Sequence, residues 1–107
     1  MAKYTPEQLD RAEDMLHRFW QWRETNPAAW AFAEVFALDK AARGQRVSAR
    51  AIIEAIRARD FADVSGRPTR TNNTHAAILS RVLTIEHPEI TPHVERRVSV
   101  YDELLGC

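Results

Sequence analysis

Arg70, Asn72, Asn73 and His75 stand at the start of a helical segment, with Arg81 further along it. Asparagine can bond an adenine edge through two atoms and arginine can bond guanine in the same way. Hydroxyls such as those of Thr71, Thr74 and Ser80 reach phosphate or base. Arg46, Arg50, Arg67, Arg96 and Arg97, on flanking segments, would add phosphate contacts. The same residues have a plainer chemistry. Asn or Thr ahead of a helix is what N-capping requires in any protein. Arginine pairs equally well with carboxylates, and Glu54, Glu86 and Glu95 are near in sequence. Capping accounts for the asparagines but leaves the arginines unexplained.

Other chemistries find little support. His17, His75, His87, His93 and Cys107 are the candidate metal ligands, and no pair has the spacing of a zinc motif. No metal and no cofactor is expected. Ser48 reads as a helix cap and Ser80 falls inside a helix. There is no nucleophile elbow, phosphate loop or dinucleotide fingerprint. The adjacent carboxylates Glu13-Asp14 and Asp102-Glu103 do not face each other on a helix. The chain is not read as an enzyme.

The charge distribution sharpens the binding question. The 107 residues carry 15 basic and 15 acidic side chains, a net of zero. Residues 1–39 hold a net of −3, residues 40–100 a net of +5, and residues 101–107 a net of −2. Every base in the middle block except Lys40 is arginine, so the asymmetry points to a binding face. Apolar residues make up 45% and charged residues 28%, the balance of an ordinary folded domain. No apolar run approaches the roughly 20 residues a membrane span needs. The first residues lack an apolar signal core, and the single cysteine allows no internal disulfide. A cytoplasmic location with no membrane partner is the expectation.

The elements that must position these residues are mostly helical, and the whole chain, 1–107, reads as one domain. Thr5-Pro6-Glu7-Gln8 is a capping box followed by apolar residues at Leu9, Ala12, Met15, Leu16, Phe19 and Trp20. This predicts a helix from Pro6 to about Glu24. Asn26-Pro27 restarts the chain into a second helix, closing near Arg43 with Gly44 as its αL cap. Residues 6–43 thus form a helical hairpin. Its aromatics make either a packed core or, at Trp22, Trp30 and Phe32, a contact surface for a homodimer through the two helices or for a partner.

Ser48 caps a third helix with Ile52, Ile53 and Ile56 inward. A fourth runs from Asn72 or Asn73 to His87, halted by Pro88, with Ala76, Leu79, Val82 and Leu83 as its apolar stripe. Phe61 and Val64 are expected to anchor the connection between these two helices. Val94, Val98 and Val100 alternate with polar residues and predict a strand, with Arg46-Val47 or the Val64 region as its partner. Asp102 to Cys107 forms a helical turn or a loose tail.

Helix, connection, helix and strand is the element order of a winged helix–turn–helix, here spanning residues 46–101. The pattern Val47-Ser48, Ile52-Ile53-Glu54, Ile56-Arg57, Asn72-Asn73, Arg81, Pro88 and Glu95-Arg96-Arg97 resembles small winged-helix-type proteins encoded by phages and mobile elements. That resemblance implies a regulator that binds double-stranded DNA, with Asn72, Asn73 and Arg81 at the contact. One feature argues against it. The connection runs from about Asp60 to Asn72, where the motif uses about three or four residues. The competing expectation is a small protein–protein interaction module, for instance a phage protein that inhibits a host factor.

Overall fold

Two prolines divide the first half of the molecule. In the computed structural model, which describes residues 3–95 and 99–106, α1 spans Pro6–Thr25 and α2 spans Pro27–Ala42. Thr5 and Gln8 close the expected capping box, each side chain bonding the other's backbone N–H. Gly44 takes φ +71° just past α2, the left-handed conformation that glycine adopts most readily. Ser48 accepts from the Ala51 N–H and starts α3, Ala49–Arg57. After a long connection, a 3-10 turn at Asn73–His75 leads into α4, Ala76–Glu86. Pro88–His93 is a 3-10 segment, and α5 covers Val100–Leu105.

α4 is the axis of the fold. It packs on α3, α5 and the Pro88–His93 segment, while α1 lies against α2 and α5. Its residues from Ile78 to Thr84 are all buried. A helix enclosed on every side is a core element rather than a surface one. Phe19, Trp30, Ile52, Ile56, Ile78, Leu79, Leu83 and Ile90 join in one apolar cluster. Each such burial contributes about 1.5–3 kcal/mol. This cluster draws on the helical hairpin and on the later half alike, so neither has a separate core.

Polar ties cross the same boundaries. Arg23 of α1 binds Glu86 of α4 through two N–H···O bonds of 2.6 and 2.9 Å. Its guanidinium also lies over the Trp30 ring at 4.6 Å and the Trp20 ring at 5.6 Å. His87, just after α4, meets Glu34 of α2 at 2.7 Å.

The expected strand is not found among the described residues. Val47 and Val94 form a single parallel bridge, with the Val47 N–H donating to the His93 carbonyl at 2.9 Å. This is one of the two partners the sequence offers, and no further pair of that ladder is found among the described residues. Arg96, Arg97 and Val98 lie outside the described residues, and Val100 and Tyr101 belong to α5. Ser99 and Asp102 form a capping box there, and that local helix signal outweighs the valine alternation. The fold is mainly helical, and no wing follows α4 among the described residues. No helix among them is long and apolar enough to cross a membrane.

Candidate functional site

The connection between α3 and α4 has structure of its own. Phe61 to Thr69 turn back on themselves: Asp63 N–H donates to Arg67 O at 2.8 Å and Thr69 N–H to Phe61 O at 2.9 Å. Ala62 and Pro68 pair as one antiparallel bridge. Asp63 organises the turn, its Oδ1 accepting from Ser65 N–H, Ser65 Oγ and Arg67 N–H at 2.8, 2.6 and 3.0 Å. Gly66 supplies the φ of +85° that the turn demands. The Ser65 hydroxyl, with the two amides and Arg67, holds the Asp63 carboxyl below its usual range.

This small hairpin is fastened to the corner between α1 and α2. The buried Asn26 is the clip. Its Nδ2 donates to Trp22 O at 2.9 Å and to Thr25 Oγ1 at 3.1 Å, while its Oδ1 accepts from Thr69 Oγ1 at 2.8 Å. Val64 N–H donates to Thr25 O at 2.9 Å, and Trp22 Nε1 donates to Arg70 O at 2.6 Å. Arg57 of α3 bonds Thr71 Oγ1 from the other side. A long connection docked in this way replaces the tight turn of a helix–turn–helix.

Beneath it sits His75, 8% exposed, with its ring edge-on to Phe19 at 5.7 Å and to Trp22 at 6.5 Å. Its Nε2 has no hydrogen-bond partner among the described residues. Burial lowers its pKa, and Arg18 adds to the effect.

The predicted contact residues therefore separate into groups. Arg67 and Arg70 are exposed and border one cleft. Asn72 and Asn73 are exposed, but the Asn72 Oδ1 is engaged as a cap, accepting from Thr74 N–H at 3.0 Å and Thr74 Oγ1 at 2.7 Å. Arg46 pairs with Glu95 at 2.8 Å and Arg50 with Glu54 at 3.6 Å. Arg96 and Arg97 lie outside the described residues.

Two expected contacts are corrected. His75 is packed inside rather than presented. Arg81 is 2% exposed and held by Asp102, on a helix whose residues 78–84 are all buried.

Of the aromatic contact candidates, Trp30 is 5% exposed and belongs to the core. Phe32 is half-buried against Phe36 and Phe61, with Arg59 over its ring at 4.6 Å. Trp22 is half-buried at the hairpin. Phe61 anchors the connection as expected, whereas Val64 is 69% exposed.

No family model, curated protein or solved structure matches this chain. The site is therefore defined by its own geometry. Sequence reasoning missed three of its parts. Asn26 was legible only as a helix cap, although its side chain makes no such bond to α2. Asp63 carried a usable signal, an Asp two residues before Ser65 and three before Gly66. Arg57 carried no signal for its bond to Thr71, fourteen residues on. Like Arg67 and Arg70 it is exposed, and its bond to Thr71 sets it beside the end of the connection. Among the described residues, no three His, Cys, Asp or Glu side chains gather as a metal-binding group.

Proposed function

We propose that this chain is a protein-binding module whose contact surface is the outer side of α3 together with the hairpin at residues 61–70. The observation that carries this reading is the enclosure of α4. Residues 78–84 of the helix that a DNA-binding arrangement would lay in the major groove are all buried. The arginines nearby are also interleaved with acids: Arg50 meets Glu54, Arg46 meets Glu95, and Arg23 meets Glu86. Mixed charge of this kind suits the rim of a protein interface, whereas a polyanion favours an unbroken basic stripe. The test is affinity capture with the intact chain, followed by the same capture with Arg57, Arg67 and Arg70 replaced by glutamine. A partner retained by the first and lost by the second supports the reading. Retention by both sinks it.

DNA binding is the second reading, favoured by the exposed arginines Arg67 and Arg70 on one cleft and by the exposed Arg57 of α3. Fluorescence anisotropy with random duplex at low salt separates the two, since a phosphate-driven contact must weaken steeply as salt rises. A homodimer through α1 and α2 would use the exposed stripe Ala28, Ala31 and Val35 of α2, and sedimentation equilibrium decides it.

A further inference from the structure

Trp22, Asn26, Asp63, Arg67, Pro68 and Arg70 line a cleft of about 460 Å³ between the α1–α2 corner and the hairpin. We infer that this cleft receives one carboxylate side chain from an acidic segment of the partner, held by Arg67 and Arg70. The inference rests on the protein-binding reading above and names the group that the site recognises.

The argument is one of unused donors and local charge. Trp22 Nε1 is committed to Arg70 O, and both ends of the Asn26 amide are committed to Trp22, Thr25 and Thr69. The floor therefore offers carbon surface rather than hydrogen bonds. Neither Arg67 nor Arg70 forms an ion pair among the described residues, so the donors left for a ligand are their two guanidinium forks. Such forks match the two oxygens of a carboxylate.

Asp63 sets the size of the charge. Its carboxylate stays ionised through the bonds from Ser65 and Arg67. Two arginines and one aspartate leave the cleft with a single net positive charge. One carboxylate neutralises it. A phosphate monoester, carrying about −1.5 to −2 at neutral pH, overshoots it. A duplex brings a charge every ~1.7 Å of its axis against Asp63. The Trp22 indole and the Pro68 ring provide apolar walls for the methylene stem of a glutamate.

The experiment is a ¹⁵N NMR titration of the full chain with a blocked peptide alternating glutamate and alanine. The same peptide with glutamine for glutamate and a short random duplex serve as comparisons. The expected result is that the glutamate peptide shifts the Trp22 indole N–H and the Arg67 and Arg70 amides, while the glutamine peptide does not. Replacing Arg67 and Arg70 together by glutamine should weaken the glutamate peptide about tenfold. Both side chains are exposed, and an unchanged urea midpoint verifies that the variant folds. Glutamate-peptide shifts confined to α3 overturn the cleft and leave the protein-binding reading standing. Shifts from the duplex alone overturn both. Absence of any shift with millimolar peptide overturns the cleft.

Discussion

Arg81 Nε lies 2.7 Å from Asp102 Oδ1, and its Nη1 donates to the Ala77 carbonyl at 2.8 Å. The pair joins the central helix α4 to the terminal helix α5. Removing the acid takes the paired carboxylate from a guanidinium that is 2% exposed. Asp102→Ala should therefore cost about 3 kcal/mol in urea unfolding. The double variant Arg81→Met, Asp102→Leu should recover most of that loss, because no buried charge then remains. If Asp102→Ala unfolds at the wild-type midpoint, the pair has no structural role.

Asn26 predicts a different kind of damage. Asn26→Ala deletes the bond from Thr69 and those to Trp22 and Thr25, a cost of about 2 kcal/mol. The loss should also be local. Trypsin should cleave after Arg59 and Arg70 faster in the variant than in the wild type, well before global unfolding. Equal cleavage rates would show that the hairpin does not depend on this clip.

His75 makes stability depend on pH. Its folded pKa lies below the ordinary value of 6.5 because burial disfavours the imidazolium. The unfolded chain therefore binds a proton that the folded chain refuses. The contribution is complete above pH 6.5 and is lost as pH falls from there to the folded pKa, below which it is flat. His75→Gln should flatten this part of the stability–pH profile. A profile identical in wild type and variant would refute the assignment.

Arg23 should not tolerate lysine. The guanidinium makes two bonds to Glu86 and lies over Trp30 and Trp20, and an ammonium cannot reproduce the fork or the stacking. Arg23→Lys should lower stability by about 1 kcal/mol, measured by denaturant unfolding. Val64→Ser, at an exposed position, should stay within about 0.5 kcal/mol of wild type.

The helices could be read from the chain because their signals are local. Thr5-Pro6 and Ser48 mark starts, Gly44 and Pro88 mark ends, and the isoleucines of α3 repeat at helical spacing. What could not be read was which helix lies at the centre. Ser80, Arg81 and Thr84 make α4 look half polar, yet Ser80 and Thr84 bond carbonyls of their own helix and Arg81 bonds Asp102. Burial depended on partners distant in sequence. The burial of His75 and Arg81 was hidden for the same reason. The arginines were visible, but their sorting into paired, buried and exposed groups follows from the packing of α4 and from the Asn26 clip.

That clip also constrains where the chain can be divided. The hairpin that carries Arg67 and Arg70 rests on Trp22 and Asn26, more than 40 residues earlier. A fragment beginning at the second half would keep every arginine of the proposed surface and lose the ledge that shapes it. The proposed surface thus needs both halves of the chain to take its shape. A screen for partners that used shortened versions would discard the shape of the proposed surface while retaining its residues.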